Sequence, residues 1–508
     1  MPSTLPLRCA CGSPRLQRSY QARQGNARAE ATSMAPSPRD NLDSSPLVLV
    51  VVLALVVPSR ASGARNLDND EDEDDEDGDD SGAGLAPGWG ATARGDPSLT
   101  PPGARRYNHR ALPGSRGARQ PVRILFSLDN YDHGTGGAEM SARGLARRLA
   151  ARGHEVQVLQ RGDAEASYSD GPIAVHTRPL PVARWLRDRE RDTARWNQAW
   201  RGLLGDFLAK WRPHLVLTQN RLLPSSVALA IERGIPPVVF IRAWGLFCPT
   251  QFLARDALAD CDRDCHRCLP WWKRLRLSRM RRTLAAYEQA LRAARLVIAN
   301  SRYTKAVLQR FYGIQSHVVY PIVDLAAYAA AGPEGEGAER DAVLFVKPQQ
   351  VKGLPIFLEI ARRMPDTRFL VAGALRGRAR RRLRRLGNVE CLGWVNDMRG
   401  VYARTRVLLG PSIWPEPFGR VFVEAAAAGV PAVASARGGI PEAVGDGGIL
   451  IKDISDTGAW VDALRRLEDP ATYAAYSRKA REHAARFTGE AIVAQFAAAV
   501  KTTLGLDL

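Results

Sequence analysis

Short apolar runs recur along this chain from residue 121 onward, and stretches with helical periodicity separate them. A nearly continuous apolar run is typical of a parallel strand that is covered on both faces. Consecutive parallel strands need a crossover, usually a helix, to connect them. This alternation therefore predicts open α/β sheets. In the first half of the region the runs are residues 122–128, 156–159, 215–218, 238–241 and 296–299.

The alternation begins again after a polar, glycine-rich segment at residues 332–340. Segments of this composition commonly join domains, because few contacts cross them. We therefore predict two α/β domains, at residues 121–331 and 341–508, each with a doubly wound sheet. The apolar runs of the second domain are residues 343–346, 369–372, 389–392, 407–409 and 430–433.

Residues 1–120 lack this alternation, and we predict a disordered, low-complexity extension there. Pro, Gly, Ser and Arg are scattered without a period, and residues 68–80 form an acidic block that repels itself and stays solvated. An eleven-residue apolar run at 47–57 is too short to span a bilayer, which takes about 20 residues. The run fits the core of a secretion signal, but it starts far from Met1. A non-functional extension or a misassigned start is the favoured interpretation, and a signal or anchor is the alternative.

The formal net charge is +19, from 72 basic and 53 acidic residues, and the basic ones are mostly arginine. From Gln120 onward the chain has 58 basic and 38 acidic residues, so the part predicted to fold is strongly basic. Such a surface suits an anionic substrate or an acidic membrane. The alternative is an arginine-rich bias spread over solvated faces. No nucleic-acid-binding motif accompanies the charge, so we predict no nucleic-acid partner.

The most informative stretch is residues 408–450. An apolar run leads into a proline-rich loop that holds Glu416, and a helix follows that carries Glu424 and ends near Gly429. Gly419, between the two carboxylates, lets backbone N–H groups approach a ligand closely. The helix that carries Glu424 directs its partially positive N-terminal end at the same loop, so the loop is predicted to bind an anion.

The two glutamates would repel a phosphate in this position. We therefore predict that they accept hydrogen bonds from sugar hydroxyls, one on each side of the phosphates. The alternative is that Glu424 only stabilises the helix dipole and that Glu416 is an ordinary surface residue.

The motif E-P-F-G-R-V-F-V-E-A, followed by G-V-P-A-V-A-S-A-R-G-G-I-P-E, resembles the donor-site signature of family 4 glycosyltransferases. These are retaining enzymes with the GT-B fold, so the resemblance implies two facing Rossmann-like domains with the donor in the cleft between them. It also implies that Glu416 contacts the donor sugar and that Glu424 holds the nucleotide ribose. The backbone at Phe418 and Gly419 would meet the sugar or the diphosphate.

Further parts of the second domain resemble the same family. The loop K-P-Q-Q-V-K-G carries Lys347 and Lys352, which the resemblance assigns to neutralising the donor diphosphate. The family has Arg or a similar residue near the Lys347 position, so a bidentate fork is replaced by a point charge. The segment G-W-V-N-D is similar to the one that packs on the nucleotide base. Trp394 and Val395 are its contact candidates, and a plain core role for Trp394 is the alternative.

In the first domain, Gly136 and Gly137 stand where a strand gives way to a helix, and G-G-A-E resembles the family's glycine loop near the phosphates and the acceptor. His133 in that loop is either a proton carrier or a solvated side chain. Arg242 stands where many members carry a His-Asp pair, and if this alignment holds it cannot act as a base, since the pKa of arginine stays above about 12. Acceptor activation is then unassigned, and Arg242 could instead bind an anionic acceptor. The polar turn at 300–303 is predicted to face the cleft.

Four cysteines form the pattern C-x12-C-x3-C-x2-C between the fourth apolar run and a long helical tract. Four thiolates in so short a segment can hold a tetrahedral Zn²⁺ and so stabilise a loop that has little core of its own. Two disulfides are the alternative in an oxidising compartment, and free packed thiols are a third. The cysteines, which are the candidate metal ligands, are Cys248, Cys261, Cys265 and Cys268.

Taken together, the resemblance implies a retaining glycosyltransferase that moves a sugar from a nucleotide diphosphate sugar to a glycan, lipid or small-molecule hydroxyl. We expect a cytoplasmic protein with peripheral contact at the inner membrane face and a glycan or lipid-linked acceptor. No cofactor is required, because Lys347 and Lys352 supply positive charge to the leaving diphosphate. The alternatives are an epimerase or hydrolase of the same fold, or a non-catalytic sugar- or polyanion-binding homologue. The residues predicted to act in catalysis are Glu416, Lys352, Lys347 and Arg242.

Overall fold

The structure is a computed structural model that describes residues 120–132, 136–180, 189–253, 261–330, 340–375 and 377–508. For residues 189–192 only the backbone is described. Almost all of the predicted N-terminal extension, with its apolar run, lies outside the described residues. So do His133 and nearly all of the predicted linker.

The first domain is built on an eight-stranded sheet with the order β3-β4-β2-β1-β5-β6-β7-β8. All neighbouring strands are parallel except β3 and β4, which form an antiparallel pair at one edge. The strands are β1 (Arg123–Leu128), β2 (Glu155–Gly162), β3 (Ala166–Asp170), β4 (Ile173–Pro179), β5 (Leu215–Gln219), β6 (Pro237–Ile241), β7 (Leu296–Ala299) and β8 (His317–Val318).

Helices connect these strands and cover both faces of the sheet. They are α1 (Gly137–Ala151), α2 (Arg189–Lys210), α3 (Leu223–Glu232), α4 (Cys265–Cys268), α5 (Trp271–Arg274), α6 (Leu277–Ala293), α7 (Arg302–Tyr312) and α8 (Leu325–Ala329).

The second domain is built on a six-stranded, fully parallel sheet with the order β11-β10-β9-β12-β13-β14. The strands are β9 (Ala342–Val346), β10 (Phe369–Ala372), β11 (Val389–Gly393), β12 (Thr405–Gly410), β13 (Ala432–Ser435) and β14 (Gly448–Ile451). The helices are α9 (Leu354–Arg363), α10 (Gly377–Arg384), α11 (Arg399–Arg404), α12 (Arg420–Ala427), α13 (Ile440–Val444), α14 (Thr457–Arg466), α15 (Pro470–Ala484) and α16 (Gly489–Leu504).

The predicted α/β class with two parallel sheets is therefore confirmed. One predicted strand starts too early, because the structure begins β13 at Ala432 and not at Val430. Val430 donates its N–H to the carbonyl of Ala425 and so completes the end of α12 before the strand starts. The sequence also did not predict β3, β4, β8 and β14. Strand β3 is almost wholly exposed at the sheet edge, so it has no apolar run to reveal it.

The last helix, α16, returns to the first domain and packs against α1 and β7. The rings of Phe240 and Phe496 stack with their centroids 5.9 Å apart. At the surface, Arg152 and Glu490 form an ion pair at 2.8 Å. The largest cluster of buried apolar side chains contains residues from both sheets, so this helix joins the two domains into one packed body.

Candidate functional site

Loops that follow the carboxyl ends of the strands in one domain contact the corresponding loops of the other. The indole Nε1 of Trp244, after β6, donates to the carbonyl of Pro415, after β12, at 2.6 Å. The hydroxyl of Ser301, after β7, donates to the carbonyl of Pro417, also at 2.6 Å. The polar turn after β7 therefore faces the cleft, as predicted. Ligands of open α/β sheets bind at these strand ends.

A carboxylate of the second domain holds the start of a helix in the first. Glu442, in the first turn of α13, accepts the backbone N–H groups of Arg302 and Tyr303, each at 2.8 Å. It also accepts the hydroxyl of Tyr320 at 3.1 Å. These N–H groups belong to the first turn of α7, where they have no partner within the helix. The contact therefore satisfies the helix end and fixes one wall of the cleft.

Lys352 and Glu416 lie together at the centre of this region. Lys352 ends a short 3₁₀ turn after β9, and its ammonium group pairs with Glu416 Oε1. The hydroxyl of Ser412 donates to the same oxygen at 3.3 Å, and Lys352 Nζ lies 4.5 Å from the centre of the Trp414 ring. Burial lowers the pKa of Lys352, and the adjacent Glu416 carboxylate opposes that shift. The structure thus brings together two of the four residues that the sequence assigns to catalysis.

Two adjacent glycines, Gly438 and Gly439, pack against the backbone of Glu416. Gly439 donates its N–H to the Glu416 carbonyl at 2.7 Å. Gly438 has a left-handed backbone (φ +61), and a Cβ atom at this position would lie 2.3 Å from the same carbonyl oxygen. Only glycine fits there without displacing the loop. The R-G-G-I-P-E part of the motif therefore positions the loop that carries Glu416.

Gly419 also has a left-handed backbone (φ +97), and it caps the start of α12. Phe418 beside it is buried, and its ring packs against Tyr320 and Phe487, each with centroids 5.4 Å apart. The Phe418 side chain is therefore part of the apolar core, and the ligand contact predicted for its backbone stays a prediction. The first turn of α12 begins at the next residue, so its N–H groups are adjacent to the Glu416 loop.

Glu424 is buried on α12 and already has partners. Arg420 Nη2 lies 3.1 Å from Glu424 Oε1, and the hydroxyl of Tyr402 donates to Oε2 at 3.3 Å. Arg420 Nη1 also donates to the carbonyl of Gly137 in the first domain at 3.0 Å. The ribose contact assigned to Glu424 stays a prediction. Sequence reasoning gave Arg420 no role, although its spacing of four residues from Glu424 is that of a helical ion pair.

The glycine loop of the first domain approaches the second domain closely. Gly136 caps α1, and a Cβ atom on Gly137 would lie 3.2 Å from Arg420 Cδ. Glu139 in the first turn accepts a hydrogen bond from Asn220 Nδ2 at 3.3 Å. Glu139 is the last residue of the G-G-A-E motif, and the sequence alone predicted no function for it.

Glu139 interacts electrostatically with charged residues of both domains. Burial raises the pKa of its carboxyl group, Asp129 adds to the shift, and Arg242 and Lys347 oppose it. Lys347, from the second domain, therefore lies close enough to Glu139 to lower the pKa of that carboxyl group. Its positive charge also lowers the pKa of Lys352. Its backbone is left-handed (φ +55), which is rare for a residue with a side chain. Strain of this kind is concentrated at functional sites.

Arg242 lies buried at the end of β6. Its Nε donates to Gln219 Oε1 and its Nη1 to the hydroxyl of Ser141, both at 2.8 Å, and its guanidinium lies 4.3 Å over the Phe240 ring. Burial lowers the pKa of Arg242 to about 9, although Glu139 opposes the shift. This value is below the range expected from the sequence, yet it leaves the group a cation at neutral pH. An anion-binding role for Arg242 stays a prediction.

Several buried polar atoms next to these residues have no hydrogen-bond partner in the described part of the chain. They include Gln219 Nε2, Trp414 Nε1 and Arg420 Nε. Gln219 holds Arg242, Trp414 lies under Lys352, and Arg420 spans the cleft. Buried donors normally have partners, so these atoms are candidates for hydrogen bonds to a ligand.

The predicted base-contact residues lie further along the second domain. Trp394 is 57% exposed, so it is not a core residue, and its Nε1 donates to Asn396 Oδ1 at 2.7 Å. Val395 is half-buried and packs against the large apolar cluster. An exposed indole can stack on a nucleotide base. The base contact itself stays a prediction.

The four cysteines of the predicted zinc site lie in one neighbourhood. Cys248 is buried, and the other three are half-buried. Burial and the neighbouring thiols raise the pKa of Cys265, and they raise the pKa of Cys268 to about 11. None of the five cysteines in the described residues forms a disulfide. Within those residues no three His, Cys, Asp or Glu side chains are arranged to hold a metal ion, so the zinc site stays a prediction.

Two family models match the chain. The model described as Glycosyltransferase Family 4 matches residues 135–327, and the one described as Glycosyl transferases group 1 matches residues 340–469. The two spans together cover more than half of the chain and contain the facing loops described above.

Two curated relatives are both D-inositol 3-phosphate glycosyltransferases. The protein of Mycolicibacterium smegmatis is 34% identical over 208 residues, which are 36% of this chain and 47% of that protein. The protein of Mycobacterium marinum is 30% identical over 249 residues, which are 44% of this chain and 53% of that protein. The chain thus spans about half the length of the curated relatives it matches.

Solved structures share the two-domain arrangement. Sucrose-phosphate synthase from Thermosynechococcus elongatus superposes with a TM-score of 0.58 and 21% identity, over 75% of this chain and 99% of that chain. Anabaena HepE in complex with UDP superposes with a TM-score of 0.53 and 21% identity, over 75% of this chain and 100% of that chain. At such identity the likeness shows the fold alone, and this is the predicted GT-B fold.

Proposed function

The chain belongs to family 4 of the glycosyltransferases, and on this premise we propose that it transfers a sugar from a nucleotide diphosphate sugar to a hydroxyl group of an acceptor. The ion pair of Lys352 and Glu416 carries the proposal, because it lies where the loops of two parallel sheets meet. The pair combines a cation suited to a diphosphate with a carboxylate suited to sugar hydroxyls. Both groups are largely buried, so water screens them weakly.

The positive groups around the pair suit the leaving diphosphate. In the proposed complex the phosphates lie between Lys352, Lys347 and the start of α12. The first-turn N–H groups of that helix are oriented to bind anions. Negative charge grows on the diphosphate as its bond to the anomeric carbon breaks. Fixed cations and N–H groups stabilise such charge without reorganising during the reaction.

We propose that the anomeric configuration is retained. The acceptor oxygen attacks the anomeric carbon on the face from which the diphosphate departs, and a diphosphate oxygen takes the acceptor proton. This route needs neither a metal ion nor a base from the protein. It therefore accommodates Arg242, a cation at neutral pH, at a position where many relatives carry His-Asp.

The donor and acceptor classes follow from chemistry and from the relatives. HepE binds UDP in its solved structure, so UDP-sugars are the first donors to test. The curated relatives are named for D-inositol 3-phosphate, and Arg242 with its neighbour Arg420 suits a similarly anionic acceptor. The other acceptor classes are glycans and lipid-linked sugars.

Product analysis tests the reaction class. Purified full-length protein is incubated with UDP-, GDP- or ADP-sugars and a panel of acceptors that includes inositol phosphates. NMR of the product should show the anomeric configuration of the donor. Release of free sugar alone would indicate a hydrolase, and conversion of the sugar without transfer would indicate an epimerase.

Two matched variants complete the experiment. Lys352→Ala should reduce transfer by about 100-fold or more, because it removes charge from the leaving group. The control Lys452→Ala changes an exposed lysine after β14 and should leave transfer unchanged. Equal transfer by both variants would contradict the role proposed for Lys352, and no transfer by the wild-type protein would favour a non-catalytic binding protein.

A further inference from the structure

Three bulky apolar side chains are exposed next to one another outside the cleft. Trp271 is 73% exposed, Trp272 is 48% exposed and Leu275 is 78% exposed. They occupy α5 and the turn that leads into α6. Scattered exposed apolar residues are ordinary, but a contiguous group with two tryptophans marks an interaction surface.

Basic residues surround this group, and acidic ones are absent from the local sequence. No Asp or Glu occurs between Asp264 and Glu288. Arg274, Arg281 and Arg282 are exposed in the same segment. We define the Trp–Arg patch as Trp271, Trp272, Arg274, Leu275, Arg281 and Arg282.

The patch occupies the outward face of a nearly continuous helical segment. Trp271 and Leu275 are four residues apart, and Leu275 and Arg282 are seven residues apart. Side chains at these spacings lie on one side of a helix. The opposite side is buried, since Leu277 and Met280 pack together in a small apolar cluster. The segment is therefore amphipathic, and its outer side is apolar at one end and basic at the other.

The chain path places the patch at the cleft edge of the first sheet. Strand β7 is parallel to β6, so α6 must carry the chain back from the edge where β6 ends. The start of α6, next to the patch, therefore lies at that same edge. In the insertion before it, the Phe252 ring lies 6.3 Å from the Trp414 ring, which underlies Lys352.

We propose that the Trp–Arg patch docks this protein onto the surface of an anionic lipid bilayer. Indole rings prefer the headgroup region, where the ring is buried and the N–H stays hydrated. Each arginine near such a surface strengthens binding by roughly fivefold. Docking of this kind needs no membrane-spanning segment, and within the described residues no helix is both long and apolar enough to span a bilayer.

A second consequence rests on the proposed function. With the patch on the membrane, the cleft edge of the first domain faces the lipid surface. An acceptor hydroxyl carried by a lipid headgroup or lipid-linked sugar would then reach the donor without leaving the bilayer. The acceptor class that follows is a membrane-anchored glycan or glycolipid.

Vesicle binding tests the docking directly. Full-length protein is sedimented with phosphatidylcholine vesicles and with vesicles that also contain phosphatidylglycerol. The protein should bind the anionic vesicles, and added salt should weaken this binding. The apolar variant, Trp271→Ser with Trp272→Ser and Leu275→Ser, should lower partitioning by about tenfold or more.

The basic residues are tested with a charge-matched pair of variants. Arg281→Gln with Arg282→Gln should lower binding by roughly twentyfold. The control, Arg381→Gln with Arg382→Gln, removes the same charge from exposed positions on α10 and should change binding by less than about twofold. All variants alter exposed side chains, and their folding is checked by thermal melts.

These outcomes distinguish docking through the patch from binding that depends only on net charge. They also test docking independently of sugar transfer. Equal losses from the two arginine pairs would overturn the proposal, because binding would then depend only on net charge. Wild-type binding by the apolar variant, or binding to single-stranded DNA but not to vesicles, would overturn it as well. Nucleotide-induced thermal stabilisation should be the same in patch variants and wild type. Vesicle binding without any such stabilisation would contradict the proposed function and leave the docking intact.

Discussion

The ammonium group of Lys352 and the carboxylate of Glu416 form a largely buried ion pair, although 64 residues separate them in sequence. Lys352 follows β9 and Glu416 follows β12, and these two strands are neighbours in the sheet. Adjacent parallel strands deliver their following loops to one edge, so the fold itself forms the pair. The charge of Glu416 therefore affects the pKa of Lys352.

This coupling predicts a pH effect in Glu416→Gln. Burial lowers the pKa of Lys352, and the Glu416 charge keeps that pKa from falling further. Transfer requires the lysine as a cation, so activity should decline as pH rises through its pKa. Without the glutamate charge, the decline in kcat/KM should occur at lower pH than in wild type. The control Glu468→Gln removes an exposed carboxylate and should keep the wild-type profile. An unshifted alkaline limb in Glu416→Gln would show that the pair is not coupled.

Gly438 should be essential for the position of the Glu416 loop. Gly438→Ala introduces both a left-handed alanine and a 2.3 Å approach to the Glu416 carbonyl. Gly171 is a matched control, since it has nearly the same φ (+62) and open space around it. Gly171→Ala should cost about 1–2 kcal/mol of unfolding free energy from backbone strain alone. Gly438→Ala should cost more and should also weaken donor binding. Chemical denaturation curves measure the unfolding free energy that each variant loses. Equal losses in the two variants would contradict the steric account.

Arg420 should stabilise the buried carboxylate of Glu424. Arg420→Ala leaves that carboxylate with Tyr402 as its remaining partner, and we expect a loss of about 3–5 kcal/mol in unfolding free energy. In the double variant with Glu424→Gln, much of this loss should be recovered, because no unpaired charge remains. Arg465→Ala, at an exposed position on α14, is the control. Additive losses in the double variant would indicate that the two residues act independently.

The zinc prediction is tested by the metal content of full-length protein purified without chelators. A bound structural zinc should be present at one per chain, and Cys261→Ser or Cys268→Ser should abolish it. Cys391→Ser, which changes a cysteine of the second domain, should retain the metal. Protein that folds fully without zinc would contradict the prediction and favour packed thiols.

The strands that the sequence missed are β3, β4, β8 and β14, and each lies at or next to a sheet edge. Strands β1, β5 and β9 are mostly apolar and almost wholly buried, so their composition reveals them. Strand β3 has only one buried residue, so its polar sequence resembles a loop. Local composition reports burial, and edge strands carry little of that signal.

Within the site, motif residues were predictable and their cross-domain partners were not. Glu416 and Lys352 were found because their neighbours match a family motif. The contacts of Arg420 with Gly137 and of Glu442 with α7 join residues that are far apart in sequence. Such contacts depend on how the domains pack, which no short motif encodes. The burial of Arg242, which lowers its pKa, is likewise a tertiary effect.

The most direct measurement of the central claim is nucleotide binding by wild type and Lys352→Ala, monitored by thermal shift and calorimetry with UDP, GDP and ADP. One of these diphosphates should stabilise the wild-type protein, and its affinity should fall by about tenfold or more in Lys352→Ala, because a buried cation is lost. Lys452→Ala should bind as the wild type does. No stabilisation by any of the three, or equal affinity in Lys352→Ala, would contradict the claim that the cleft between the two sheets holds a nucleotide diphosphate.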